Sequence, residues 1–303
     1  MEGTVSVAIV SICGPAHLTR CLDALGRQDY SQPIEIVVAY DPELTGLAEL
    51  ARRFPSVRFL ATPGERTPLA LAARALREST GDVLLLTEDH CVPASDWVRR
   101  LTASLTAGRA AAGGVVEISG GASSTDWAFY FVDFFRYSPP VAAGPSPTLT
   151  VCNVAYRRAD LEQISDPDWR RFFHETIVND AVVRRFGELH LTPLARVSMA
   201  RHVALTDAIR ERYVFGRLFG CTRLGYLPGA LSRFAHRAGA PLLPALLMGR
   251  MTAKAFKSSA LLKRFIRAIV PLTLMVLAWS WGEWLGYLTG RAPADLTTAQ
   301  ELK

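Results

Sequence analysis

Short apolar runs alternate with segments of helical period over the first hundred residues. Val5 to Ser11, Ile34 to Ala39, Val57 to Leu60 and Val83 to Leu86 read as strands. Between them, Leu18, Leu22 and Leu25 recur at i, i+4 and i+7, and Leu69 to Glu78 is rich in Ala, Leu and Arg, so both segments read as crossover helices. This order predicts an α/β fold with a Rossmann-like, mostly parallel central sheet and helices on both faces. Such sheets hold ligands beyond the carboxyl ends of their strands, which selects Ser11 to Pro15, Tyr40-Asp41 and Thr87 to His90.

After Trp97 the pattern loosens. A helix is expected from near Ser95 and a strand near Val115 to Ile118. Polar, Gly-rich and Pro-rich loops follow at Ser119 to Thr125 and Ser138 to Pro147. Leu149 to Tyr156 reads as a strand, Glu175 to Arg185 as a helix, and Leu189 to Val197 as extended chain interrupted at Pro193. From Ala268 to Gly282 the chain is uncharged and mostly apolar. That run makes roughly 22 Å of helix against the roughly 30 Å of a hydrocarbon core, too short for an unassisted span. Pro241 to Met248 is a second apolar patch that could lie on a bilayer surface with it.

Charge sharpens this division. The 303 residues carry a formal +6, yet Arg212 to Gly282 holds 11 Lys and Arg and no Asp or Glu. The excess base therefore sits in the C-terminal third, interleaved with apolar runs, which suits anionic lipid or phosphate. No zinc-finger, helix-turn-helix or RNA-binding signature accompanies it, so nucleic acid is not an expected partner. The expected domains are 1–217 and a basic, apolar helical segment at 218–303 for membrane association, with a buried core helix as the alternative reading. Five widely spaced cysteines without a C-x-x-C pair argue against a disulfide framework or structural zinc site. The first residues do not read as a signal peptide, and the cytoplasmic face of a membrane is the expected location.

The sharpest chemical signal is the apolar strand that ends in Thr87-Glu88-Asp89-His90. Carboxylates and a neutral imidazole suit Mg²⁺ or Mn²⁺, which would neutralise a nucleoside diphosphate. A solvated strand-to-loop transition is the bland alternative. Together with Pro93 and Trp97, this run resembles the aspartate-x-aspartate region of family 2 glycosyltransferases, with Glu88 and His90 standing where aspartates are usual. Val5 to Ser11 with Leu18 to Leu25, and Ile36 to Asp41, are similar to that family's first strand and helix and its second strand.

The resemblance, over most of residues 5 to 217, implies a GT-A fold. It also implies transfer of a sugar from a nucleotide-diphosphate donor, with UDP favoured, to a hydroxyl, with inversion and a divalent metal. On it, Ser11, Asp41, Glu88, Asp89, Asn153 and Arg217 would contact the donor, Asn153 alternatively the acceptor. Asp89, His90 and His202 would hold the metal, and Glu175 or Asp180 would be the base, while Arg210, Arg212 and Gly216 belong to the basic helix that carries Arg217. Five residues along a helix is about 500° of rotation, so Glu175 and Asp180 are not expected to act together. The apolar C-terminal segment points to a lipid-linked or membrane-proximal acceptor. A sugar-nucleotidyltransferase-like enzyme and a non-catalytic membrane-bound scaffold are the rival readings. The first would need a Gly-rich phosphate loop after the first strand, where only Gly14 stands.

Overall fold

A computed structural model describes residues 3–64, 67–105, 109–165 and 168–293. In chain order the elements are β1 (Val5–Ser11), α1 (Pro15–Leu25), β2 (Ile34–Tyr40), α2 (Leu47–Arg53), β3 (Arg58–Ala61), α3 (Pro68–Glu78), β4 (Val83–Glu88), β5 (Cys91–Pro93), α4 (Trp97–Ser104), β6 (Ala111–Ile118), α5 (Ser124–Phe134), β7 (Gly144–Ser146), β8 (Val154–Arg157), α6 (Arg158–Leu161), α7 (Glu175–Phe186), β9 (Leu189–Met199), α8 (Leu205–Tyr226), α9 (Gly229–Gly239), a 3-10 turn (Ala240–Leu242), α10 (Leu243–Ala255) and α11 (Ser259–Thr289).

The chain forms two compact units: residues 1–119 with 137–201, and residues 120–136 with 202–303. This differs from the expected boundary at 217, which would cut α8 in two. The end of the expected second domain, 294–303, lies outside the described residues.

The first unit is built on one sheet in the order β3-β2-β1-β4-β8-β6-β9-β5, with β7 beside β9. Its leading half is parallel as expected, because β1, β2 and β3 are each followed by a helical crossover before the next strand. Beyond β4 the pairing is mixed: β8 is antiparallel to β4 and β6, while β9 is parallel to β6. β1 is buried at every position and β4 at all but its last, as central strands covered on both faces must be.

Three expectations change. Leu149 to Tyr156 is strand only from Val154, because Thr150 to Asn153 forms a turn whose Asn153 N–H donates to the Thr150 carbonyl (3.0 Å). Pro193 does not interrupt β9, since the β6–β9 register slips between Gly113 and Val115 and the proline falls in that irregularity. α5 begins at the end of the first expected loop and fills the stretch between the two loops, where no element was expected, although its capping box, Ser123 with Asp126, is written in the sequence.

The second unit is helical. α8 and α11 cross at a pair of small-residue seams, Gly216-x-x-x-Gly220 and Gly282-x-x-x-Gly286. A Cβ on Gly216 would lie 2.3 Å from the Trp279 carbonyl oxygen, and one on Gly282 would lie 2.2 Å from that of Tyr213. Only glycine lets the two backbones approach so closely. Among the described residues no helix is long and apolar enough to cross a membrane.

Candidate active site

The parallel registers Ser11↔Tyr40 and Val10↔Glu88 bring the carboxyl ends of β1, β2 and β4 to one edge of the sheet. Ser11, Asp41 and the Glu88-Asp89-His90 turn therefore share the edge the topology reserves for ligands. Asp41 is buried and its Oδ1 accepts from the Glu43 N–H (3.0 Å), an Asx turn that fixes the carboxylate where β2 ends.

Asp89 has a different task from the one expected. It is fully buried, and its Oδ2 accepts from Ser11 Oγ (3.0 Å), the Ile12 N–H (2.9 Å) and the Cys13 N–H (2.7 Å). Three donors on one oxygen make this carboxylate the clamp that shapes the loop after β1. That oxygen is saturated from within the fold, so any contact of Asp89 with donor or metal falls to its other oxygen.

Glu88 and His90 flank the clamp. His90 Nδ1 lies 3.4 Å from Glu88 Oε2 and 3.9 Å from Asp89 Oδ1. Burial pushes the Glu88 carboxyl up to about 7, with His90 opposing and Cys91 and Asp89 adding to the rise. For His90, burial disfavours the charged ring, but Cys91 and hydrogen bonds to Asp89 and Cys13 outweigh it and hold the imidazole well above its usual range. A bound cation would displace that proton and satisfy the same acids. Two donor groups close enough to hold one ion occur among the described residues, Cys13-Asp89-His90 and His90-Cys91-Cys152. The first group offers a carboxylate oxygen, an imidazole and a thiol to such an ion, and the second an imidazole and two thiols.

Cys152 and His17 escaped the sequence reading. Cys152 is far from Cys91 in sequence, but the antiparallel return of β8 beside β4 brings its thiol to Cys91, whose own thiol is pulled down by hydrogen bonds from Cys152 and His90. Only the pairing of β8 could reveal this. His17 feels the charges of both Asp89 and His90 from the first turn of α1.

Asn153 is corrected outright. It is fully buried, donating to the carbonyls of Val115 (2.8 Å) and Ala195 (3.1 Å) and accepting from Trp97 Nε1 (2.8 Å). Its carboxamide cross-braces β6, β9 and α4 over Gly114, where a Cβ would stand 2.5 Å from Asn153 Nδ2. No donor or acceptor contact is needed to explain it.

The two candidate bases separate as the helical angle requires. Glu175 opens α7 and its Oε2 accepts from the Val151 N–H (2.7 Å), while Asp180 is exposed on another side of the helix. Between these acids, Asn179 is buried, bound by Tyr156 Oη (2.8 Å) and the Leu149 carbonyl (2.9 Å). His174, just before Glu175, is pushed down to about 4 by burial and is neutral at pH 7.

His202 belongs to the second unit, where its Nδ1 pairs with Asp126 Oδ2 (2.9 Å), and it joins neither metal-capable group. Arg217 also lies in the second unit, its backbone lining the close contact with Gly282 and Gly286. On the same helix Arg212 is buried, bonded to Asp133 and Glu211 and 4.5 Å over the Phe129 ring, so it packs the second unit.

No curated protein matches the chain in sequence. Among solved structures it is similar to a mannosyltransferase from Pyrobaculum calidifontis in complex with GDP-Man and Mn²⁺, at 16% identity and a TM-score of 0.57, over 93% of this chain and 87% of that one. It is also similar to S. aureus TarS 1-349 in complex with UDP-GlcNAc, at 12% identity and a TM-score of 0.48, over 92% of each chain. At such identity the first likeness speaks for the GT-A fold alone, and the second is weaker still. The model of glycosyl transferase family 2 matches residues 6–165, which is more than half of the chain and carries the whole edge from Ser11 to His90. The chain therefore belongs to glycosyl transferase family 2.

Proposed function

We propose that this glycosyltransferase moves a sugar from a nucleoside-diphosphate donor, UDP being the first choice, to a hydroxyl of a lipid-linked or membrane-proximal acceptor, with inversion at the anomeric carbon. The observation that carries the reading is the convergence of Asp41, Glu88 and His90 on one sheet edge, beside a loop that Asp89 holds in shape. Asp41 would contact the nucleoside, as the base-contacting aspartate of the family does. Asp89, His90 and Glu88 would hold a divalent ion, which when bound supplies positive charge to the diphosphate. In the transfer, the acceptor oxygen attacks the anomeric carbon as its proton passes to the Glu175 carboxylate. The bond from that carbon to the diphosphate oxygen breaks, and the nucleoside diphosphate leaves with the electron pair. The Val151 N–H on Glu175 Oε2 fixes the carboxylate for that task.

A panel of UDP-, GDP- and dTDP-sugars, each tested with Mn²⁺, with Mg²⁺ and with chelator, examines this reading by thermal shift. At least one donor is expected to raise the Tm only when metal is present, and GDP-mannose belongs in the panel because the archaeal relative in fold was solved with it. If no donor stabilises the protein with either metal, the reading fails.

A further inference from the structure

The second unit leaves an unusual amount of apolar surface in water. On α11 the buried positions, among them Phe265, Ala268, Leu272, Met275, Val276 and Gly282, form one stripe. The opposite stripe is also apolar: Ile266 is 61% exposed, Val270 67%, Leu277 49% and Trp281 53%. It runs on to Leu288, roughly 33 Å of helix. From Ala268 to Gly290 the single charged residue is Glu283, and it is buried and bonded to Trp279 Nε1 and Tyr287 Oη. α9 has no buried residue at all, although Leu231 and Phe234 are on it. It is held to α11 by polar contacts, Arg237 Nε to the Tyr287 carbonyl (2.8 Å) and Trp284 Nε1 to the Arg237 carbonyl (3.2 Å). The glycine seams explain how α11 is secured without this outer stripe, since close backbone packing replaces side-chain burial.

Water does not favour so long an exposed apolar stripe, and the charges around it have one sign. Arg233, Lys263 and Arg267 are exposed on α9 and at the start of α11, and no acid occurs between Arg212 and Gly282. We propose that α9 and the outer face of α11 form a monotopic anchor bedded in an anionic lipid bilayer, apolar side chains at the acyl boundary and these basic groups on lipid phosphates. This deepens the membrane placement proposed above and does not depend on which sugar is transferred.

The test uses the full chain in detergent-free buffer with vesicles of phosphatidylcholine, alone or mixed with phosphatidylglycerol. Co-sedimentation is expected to be at least about tenfold stronger with the mixed vesicles and to weaken with salt, with about a fivefold loss for each of Arg233→Gln, Lys263→Gln and Arg267→Gln. Lipids carrying a nitroxide in the acyl chain should quench fluorescence in the wild type, and Trp281→Phe should remove much of that quenching. Phe234→Glu with Leu277→Glu should abolish binding while leaving the Tm almost unchanged, because both side chains are already in solvent.

Absence of vesicle binding, binding that survives the glutamates, or a stable dimer that the same glutamates dissociate would each overturn the anchor, the last by making a second copy the occupant. The nucleotide-sugar panel reads none of these positions, so the two proposals fail separately.

Discussion

At the residue scale, the acids of the Glu88-Asp89-His90 turn divide the labour that their adjacency conceals. Asp89→Ala removes an oxygen that receives three hydrogen bonds in the dry end of the sheet, and the Ile12 and Cys13 N–H groups are left without that acceptor. The expected loss is about 2–4 kcal/mol of stability, seen as a lower denaturation midpoint whether or not donor is present. Glu88→Gln keeps its shape and should leave stability near wild type while removing metal-dependent donor binding. If the two variants behave alike in the unfolding assay, the clamp assignment is wrong. Glu175 and Asp180 also come apart at this scale. Glu175→Gln should retain the donor-induced Tm shift but lower turnover about 10²- to 10⁴-fold, whereas Asp180→Asn, in solvent on another side of α7, should change turnover little. His174 supplies a pH dependence. Its folded-state pKa is depressed to about 4 by burial, while in the unfolded chain it returns to the ordinary imidazole value of 6.5. The unfolded state therefore binds the extra proton between those values, so stability contributed by neutral His174 is full above pH 6.5 and is lost as pH falls toward 4. Urea titrations of wild type and His174→Asn across that window should show a steeper acid-side loss in the wild type.

At the scale of elements, what the sequence made legible was whatever repeats locally. The strands β1, β2 and β4 carry continuous apolar runs, and α1, α3 and α7 carry helical spacing or composition, so their existence and order could be read directly. The clustering of Ser11, Asp41 and the Glu88 turn followed from the same pattern, because parallel crossovers put all carboxyl ends on one side. Asn153 could not be read in this way. Its three partners lie on β6, β9 and α4, and a buried amide bracing Gly114 has the same local sequence as one waiting for a sugar. Cys152 escaped for the same reason, as did the α8–α11 seam, whose glycines look like ordinary helix breakers until they face one another. That seam carries a prediction of its own. Gly282→Val places side-chain carbons where a Cβ would already meet the Tyr213 carbonyl oxygen at 2.2 Å, and backbone cannot step aside as a flexible side chain can. A loss of at least about 3 kcal/mol, or a split unfolding transition, is expected. Gly249→Ala in α10, where a Cβ meets nothing within 4 Å, should instead stabilise by about 0.5–1 kcal/mol. Calorimetry on the two variants distinguishes steric seam from helix propensity, since propensity alone would not destabilise Gly282→Val.

At the scale of the molecule, the proposed chemistry and the proposed membrane placement fall on different units of one chain. The first unit holds the parallel strands, the acid turn and Glu175, and the second holds the glycine-seamed helices and the exposed basic and apolar stripe. The uneven charge fits both proposals: 11 of the 34 Lys and Arg but none of the 28 Asp and Glu fall in 212–282, so that stretch is purely basic, as a surface proposed for anionic lipid requires, while the rest of the chain is net acidic. Hydrogen exchange provides a direct test. A metal-dependent donor should slow exchange in peptides spanning 11–17, 40–43 and 87–93, and leave 229–239 and 266–288 at their free rates. Mixed anionic vesicles should do the reverse, protecting α9 and α11 while the strand ends exchange as before. Protection of both sets by either ligand alone would mean that placement and chemistry are energetically coupled, and each ligand would then have to tighten the other by the same factor. That outcome would change the reading of the second unit from an anchor to an effector site, because an anchor need only hold the enzyme where its acceptor is.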